Sequence, residues 1–249
     1  MKERITMSLA LIKYSIKRIL FSKRILAALL VLIFVASIMG YASTLEVDRL
    51  NEGSNFLDTL VLSFFLPIIT MFYGSTIIRD EIEDKSITQI LVSPLSKHFT
   101  YLSYYIALVI SLVFMMSIVT LGGFLSFFIP LGIDNQSFII LANMLSLSII
   151  GCIVYASLFL LLSIVLEKAI YFGLFYAFIW EGFLGSVPGR IQEFSIKHYI
   201  RSIGSELIEY GEISYFNGSE LYTSISILIV VTIVLLISGI LIFRNKEFP

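Results

Sequence analysis

The stretch 137–180, SFIILANMLSLSIIGCIVYASLFLLLSIVLEKAIYFGLFYAFIW, contains only two charged residues, Glu167 and Lys168. A helix of about 20 apolar residues crosses the hydrocarbon core of a bilayer, which is about 30 Å thick. The 44 residues of this stretch are too many for one crossing and enough for two. Because the charged pair supplies a polar turn, the stretch predicts two consecutive membrane spans, 138–166 and 169–186.

The composition of the whole chain agrees with a membrane protein. Of its 249 residues, 58% are hydrophobic and 14% are charged, whereas about 25% of the residues in a typical soluble domain are charged. This excludes a disordered chain and argues against a soluble enzyme domain. The 17 basic and 18 acidic residues leave no basic surplus for binding nucleic acid.

Four more charge-free stretches bring the expected number of spans to six. These are 25–41, 59–78, 101–129 and 221–243. The predicted fold is therefore an all-α, polytopic membrane protein that forms a single transmembrane domain. Thirteen lysines and arginines fall on the side of the two termini, and four fall on the other side: Arg49, Arg190, Lys197 and Arg201. Cytoplasmic loops carry the excess of basic residues, so we expect both termini in the cytoplasm and the chain in the plasma membrane.

The N-terminal segment, 1–24, has the pattern of a basic amphipathic helix. Such a helix lies among lipid headgroups and is attracted to anionic lipid. We expect it to form an elbow before the first span. Two alternatives follow for its role: it only anchors the chain to the membrane, or it also helps to hold a cytoplasmic partner. Its apolar stripe consists of Ile5, Leu9, Ile12, Ile16, Ile19 and Leu20.

The segment 79–98, RDEIEDKSITQILVSPLSKH, is the most informative polar stretch. Four acids come first, and acids at the start of a helix suit the helix dipole. Three apolar residues follow at helical spacing, and Pro94 ends the pattern. We expect a short cytoplasmic helix that docks a partner protein, although a solvated loop is the alternative. The predicted docking residues are Asp80, Glu81, Glu83, Asp84, Lys85, Ile87, Ile90 and Leu91.

The predicted outer loop, 187–220, begins beside an unusual acid. Glu181 follows Trp180 at the outer end of the fifth span, and Pro188 lies in a glycine-rich stretch just after it. An acid at this depth needs a partner or water. Glu181 is expected either to lie at the membrane interface or to line a pathway or gate. Within the loop, a helix is predicted from the stripe Ile196, Ile200, Ile203 and Leu207.

The fourth span carries small residues at every fourth position, namely Ser148, Cys152 and Ala156. Such stripes allow close approach of helices in lipid. The pattern leaves two alternatives open, packing within the chain and a dimer face.

The sequence contains no motif for nucleotide hydrolysis or other catalysis. None of its 15 glycines precedes a lysine, so it has no P-loop. H-E-x-x-H and G-x-S-x-G are absent too. We therefore expect neither an enzyme nor a chain that holds a cofactor or a metal, and any energy for transport would come from a partner.

These features together resemble the type-two ABC exporter permease family. The resemblance rests on the six spans, the amphipathic N-terminal helix and the segment after the second span. The broken end of the fifth span, 178–189, and the basic tail, 243–248, are also similar. Lys85 and Lys97 depart from the commoner glycine and arginine. The family pattern after the second span falls here on Glu81, Ser86, Leu91, Pro94, Ser96 and Lys97.

The resemblance implies the transmembrane subunit of an ABC transporter. A separate ATPase subunit would bind ATP-Mg and dock on the helix around 80–91, and a second permease copy or homologue would complete the translocation path. Two other classes remain open at this stage. One is an ATP-independent carrier or channel, and the other is a membrane anchor that recruits a cytoplasmic assembly without transporting anything.

Overall fold

A computed structural model of the chain describes residues 2–84, 86–87, 95–183 and 190–246. Helices dominate this part of the chain, and it contains no strand. We number eight helices in chain order. They are α1 (Lys2–Leu20), α2 (Ile25–Ala42), α3 (Arg49–Glu83), α4 (Lys97–Leu131), α5 (Asn135–Val165), α6 (Ala169–Phe183), α7 (Ile196–Leu207) and α8 (Leu221–Asn245).

Five of these helices, α2, α3, α4, α5 and α8, are long and apolar enough to cross a membrane. They coincide with the predicted spans one to four and six, which confirms an all-helical, multi-pass architecture. The predicted fifth span is represented by α6, which is shorter than the roughly 20 residues that a crossing needs. The sixth crossing therefore stays a prediction.

The helices α4 and α5 have 35 and 31 residues and exceed the length of one crossing, as the sequence indicated. The turn between them is tight. Gly132 adopts a positive φ of 89°, a conformation that side chains with a Cβ rarely adopt. Asp134 then caps α5, because its carboxylate accepts a hydrogen bond of 2.9 Å from the amide of Ser137.

The centre of the bundle is formed by α3, α4 and α5, which pack on one another. In the most apolar part of α3, 72% of the residues are buried, against 22% in α2 and 17% in α8. The helices α2 and α8, at the periphery of the bundle, therefore expose apolar side chains. These side chains suit contact with lipid or with a second membrane subunit. Among the five long apolar helices, α3 is therefore the most enclosed.

Two of the helices contain π-helical segments. Leu57–Phe65 forms one within α3, and Tyr176–Phe183 forms the other within α6. The two segments meet where Phe64 packs edge-on against Phe178, with 6.1 Å between the ring centroids. A π-turn inserts an extra residue and redirects the side chains beyond it, so the regular helical period does not predict which residues face inward there.

The helix α7 confirms the helix predicted within 187–220. Its residues Ile196, Ile200 and Ile203 are buried against the bundle. The fourth residue of the stripe, Leu207, ends the helix and stays 39% exposed. The segment is thus part of the packed structure, with contacts to α5 and α8.

Gly53 lies at a close contact between α3 and α4. A Cβ at this position would lie 2.9 Å from Phe127 and would overlap the ring of Phe128, and both rings are fully buried. We predict that Gly53→Ala lowers the free energy of unfolding by about 1–3 kcal/mol, because neither ring has space to move. The melting temperature of the detergent-solubilised protein measures this change.

Gly40→Ala in α2 is the matched control. The nearest atom to a Cβ there is 3.9 Å away, so the substitution should be neutral or stabilise the helix by about 0.5–1 kcal/mol. Equal melting temperatures for the two variants would contradict the close packing at Gly53.

Candidate functional site

The acidic run lies at the C-terminal end of α3. Asp80, Glu81 and Glu83 lie in the last turns of α3, and Asp84 is the residue that caps its end. The helix that these acids are predicted to open continues to Leu91, and most of its remaining residues lie outside the described part of the chain, so this helix stays a prediction. Carboxylates at the end of a helix are disfavoured by its dipole, so the position requires compensation by basic groups.

Two arginines from the N-terminal part of the chain provide this compensation. Arg18 of α1 forms an ion pair with Glu81 and a second one with Asp84, at 2.7 Å from Nη2 to Oδ2. Arg24, just before α2, binds both carboxylate oxygens of Asp80. The end of α3 is thereby joined to α1 and to the start of α2. We call these five residues the charge cluster.

Glu81 is the centre of the charge cluster. Its side chain is 2% exposed, while that of Arg18 is 31% exposed. Glu81 also accepts a hydrogen bond from the hydroxyl of Ser86. Burial lowers the pKa of Arg18, but the hydrogen bond and charge of Glu81 outweigh it and leave this pKa above its ordinary value. Arg18 therefore stays charged, as the buried carboxylate requires.

A cavity of about 240 Å³ lies beside the cluster, between the end of α1 and the end of α3. Tyr73 of α3 spans its floor, because its hydroxyl donates a hydrogen bond of 2.7 Å to the carbonyl of Arg24. The remaining walls come from α1, from α3 and from the turn between α1 and α2. They are Ser15, Arg18, Ile19, Ser22, Lys23, Arg24, Thr76, Ile77, Asp80 and Glu81.

The structure sorts the predicted docking residues into buried and accessible ones. Glu81 and Ile87 are both 1% exposed and lie inside the chain, so neither offers a surface to a second protein here. Asp80 is partly buried, whereas Glu83 and Asp84 are exposed. Glu83 pairs with Arg79 of the preceding turn at 2.8 Å. The other predicted docking residues, Lys85, Ile90 and Leu91, lie outside the described residues.

At the opposite end of the bundle, Glu181 is fully buried and accepts four hydrogen bonds. The donors are the hydroxyls of Tyr176 and Ser195, at 2.6 and 2.5 Å, and the amides of Ile196 and Lys197, at 3.0 and 3.1 Å. Its carboxylate thus caps the start of α7, where the helix dipole favours an anion. Sequence reasoning marked this acid as unusual but gave no partner for it.

Trp180 and Pro188 were predicted to belong to the same pathway or gate as Glu181. The indole of Trp180 donates a hydrogen bond of 3.1 Å to the carbonyl of Phe194, which precedes α7. Pro188, the third residue of the predicted pathway or gate, lies outside the described residues. Trp180 and Glu181 therefore both attach the end of α6 to the segment that leads into α7.

Sequence reasoning missed a buried ion pair between α3 and α7. Arg201 Nη2 lies 2.9 Å from Oδ2 of Asp58, whose side chain is 4% exposed. In the sequence, Asp58 stands directly before the predicted span 59–78. The sequence offers two signals, the isolated acid Asp58 beside an apolar stretch and the isolated base Arg201 in the predicted outer loop. Their pairing depends on the tertiary fold.

The small-residue stripe of the fourth span packs within the chain. Ser148, Cys152 and Ala156 are 2%, 0% and 0% exposed. Packing of helices within the chain therefore explains these small residues, and the stripe itself offers no surface to a second copy. Within the described residues, no group of three or more His, Cys, Asp or Glu side chains could hold a metal ion.

Glu81→Gln tests the charge cluster. It removes the buried negative charge that Arg18 binds, and we expect a loss of about 2 kcal/mol of unfolding free energy, since hydrogen bonds to charged groups contribute about 1.5–3 kcal/mol. Limited proteolysis should cut between α1 and α2 sooner than in the wild type.

Glu83→Gln, two residues away, is the matched control. It removes an exposed pair within one helix, which is worth about 0.3–0.5 kcal/mol, so proteolysis should change little. If both variants were cut at the wild-type rate, Glu81 would not hold α1 in place.

The comparison with known families agrees with this architecture. A family model described as "ABC-2 family transporter protein" matches residues 14–184. The match begins within α1, contains the charge cluster and ends just after Glu181.

None of the curated proteins compared with the chain matches it. The family match covers more than half of the chain, and it contains four of the five long apolar helices. This chain therefore belongs to the ABC-2 family of transporter proteins and is a membrane component of an ABC transporter.

Proposed function

We propose that the chain is the permease subunit of an ABC exporter and that a separate ATPase subunit docks on its cytoplasmic segment 79–98. The observation that carries this proposal is the charge cluster. It joins the acidic end of α3, where the segment 79–98 begins, to α1 and to the start of α2.

The energy for transport comes from the partner in this proposal. The sequence has no P-loop, and the members of the family to which the chain belongs are membrane components of ATP-driven transporters. The export direction is carried over from the family resemblance. ATP-Mg binds to the ATPase subunit alone.

The accessible acids form the first contact with the ATPase. Glu83 and Asp84 are exposed at the end of α3, so they suit a basic surface on the partner. Asp84 is also held by Arg18 at 2.7 Å, which fixes its orientation. The predicted apolar residues Ile90 and Leu91 complete the proposed docking surface.

Movement of the docking segment reaches the middle of the bundle by two routes. The first is α3 itself, the most buried of the long apolar helices. The second passes through Arg18 and Arg24 into α1 and α2, and both of these helices pack on α4. ATP-driven closure of two ATPase subunits would therefore shift several helices together as a rigid body.

The membrane arrangement completes the proposal. We propose six crossings, with α6 as part of the fifth, and both termini in the cytoplasm. The apolar faces of α2 and α8 are the least buried of the five long apolar helices. Such faces suit lipid and a second permease subunit, and the translocation path would form where two subunits meet.

Affinity purification of the tagged chain from its native membranes tests the docking claim. We expect a P-loop ATPase to be recovered with the wild type and lost from the Glu83→Lys, Asp84→Lys double variant, because the charge reversal repels a basic surface. Quantitative mass spectrometry of the eluate measures the ratio of the two proteins.

Glu209→Lys serves as the control, since Glu209 is also exposed but follows α7 at the other end of the bundle. It should retain the ATPase. Wild-type recovery of the ATPase by the double variant would contradict docking at the end of α3, and nucleotide-independent flux by the chain alone in liposomes would support a carrier instead.

Single-cysteine labelling tests the orientation. In a Cys152→Ser background, cysteines replace the exposed Lys13 of α1 or the exposed Glu209. A membrane-impermeant maleimide added to intact cells should label position 209 and leave position 13 unlabelled until the cells are opened. The reverse pattern would place the termini outside and overturn the proposed topology.

A further inference from the structure

The first turns of α4 lie against the last turns of α8. The ring of Tyr101 packs on Phe243 with 5.8 Å between the ring centroids, and both side chains are fully buried. A Cβ at Gly239 would overlap the ring of Tyr101, so this glycine provides a notch for the ring. The hydroxyl of Tyr101 is buried and has no hydrogen-bond partner among the described residues. The contact at the notch therefore depends on shape alone.

Lys97, one helical turn before Tyr101, adds a polar contact between the same two helices. Its ammonium group donates hydrogen bonds of 3.1 and 3.0 Å to the carbonyls of Arg244 and Lys246. The last carbonyls of a helix have no partner within that helix, and the helix dipole favours a cation beside them. Lys97 of α4 therefore caps the end of α8.

Lys246, which directly follows α8, makes a contact of the same kind with α5. Its ammonium group donates a hydrogen bond to the carbonyl of Ile164, in the last turn of α5. The start of α4, the end of α5 and the end of α8 are thus joined at one end of the bundle. We call Lys97 and Lys246, together with the carbonyls that they bind, the lysine clamp.

The lysine clamp lies at the second end of the proposed docking segment. Segment 79–98 begins in the last turns of α3, where the charge cluster holds it, and ends in the first turn of α4, which contains Lys97. Within the described part of the chain, α8 packs chiefly on α4, α5 and α7. Movement of the docking segment therefore reaches α8 through the helices that the clamp joins.

The notch and the lysine clamp restrict α8 at two separate points. Apolar contacts between helices in lipid give little directional preference, so α8 would pivot about Tyr101 if the notch were its only contact with α4. Lys97 binds α8 five residues beyond Gly239, which is about 7.5 Å along the helix axis. Two points separated along the axis fix the orientation of α8 relative to the start of α4.

We propose that Lys97 is a positioning residue that makes α8 follow the docking segment. When the segment moves, the first turn of α4 moves with it, and the lysine clamp carries the ends of α8 and α5 along. The origin of this movement rests on the proposed function. The clamp itself is a property of this chain alone.

Hydrogen–deuterium exchange of the full chain, without a partner and in lipid nanodiscs, tests the clamp. In Lys97→Met, we expect the amides of 242–246 to exchange about tenfold faster or more, because the last turn of α8 frays when its cap is lost. The amides of 228–236 should keep their wild-type rates. Lys97→Arg retains a cation with several donors and should restore the protection.

Lys168→Met is the matched control for the loss of a lysine. Lys168 is exposed at the same end of the bundle, whereas the bonds to the end of α8 come from Lys97. This variant should leave the exchange of α8 unchanged. If Lys97→Met does not fold, Lys246→Met removes the bond to Ile164 alone and should also accelerate exchange at 242–246.

Electron paramagnetic resonance of the complex with the ATPase tests the transmission. Spin-labelled cysteines replace the exposed Phe99 of α4 and the exposed Asn245 of α8 in a Cys152→Ser background. With Lys97 present, the distance between the labels should be the same without nucleotide and with a non-hydrolysable ATP analogue. In Lys97→Met, this distance should differ between the two states, because α4 moves and α8 follows incompletely. A cap with a merely structural role would not make the distance depend on nucleotide.

Two results would overturn the proposal. Wild-type exchange at 242–246 in Lys97→Met would show that this lysine does not hold the end of α8. The same label distance in both states of the Lys97→Met complex would show that α8 follows α4 without the clamp. Failure of the proposed function would appear instead as the absence of an ATPase from the purified wild type, and it would leave the exchange result intact.

Discussion

The pairing of Glu81 with Arg18 is the contact on which the arrangement of α1, α2 and the end of α3 depends. Glu81 is nearly completely buried at the end of the most enclosed long apolar helix, and a buried carboxylate without a partner costs several kcal/mol. Arg18 comes from α1, more than sixty residues away in sequence. The requirement to neutralise this one charge therefore fixes where the N-terminal helix lies, and Arg24 with Asp80 strengthens the same connection.

The same requirement shapes the other end of the bundle. Asp58 and Glu181 are the acids buried there, each lies in a π-helical segment, and both hold α7. A chain with only 14% charged residues thus uses its buried acids to attach surface helices to the transmembrane bundle. Apolar contacts in lipid give little directional preference, whereas these ionic contacts each select one partner.

The sequence predicts the spans well because each long apolar stretch has to be a helix of membrane length. It also predicts α7, whose apolar stripe is regular. It does not show that a helix ends within the acidic run, at Glu83, since helical spacing alone does not show where a helix ends. It also misses Asp58–Arg201, because the partner lies on a distant segment and the π-turn redirects the acid. Glu181 was recognisable as unusual, but its four donors appear only in the folded chain.

The central claim is that α1 and the end of α3 move as one unit when the ATPase acts. Cryo-electron microscopy of the chain with its ATPase, without nucleotide and with a non-hydrolysable ATP analogue, tests this most directly. We predict that the Arg18–Glu81 pair is intact in both states and that α1 and α3 shift together, with the ATPase against segment 79–98. Separation of Arg18 from Glu81 in either state, or an ATPase bound elsewhere, would contradict the account.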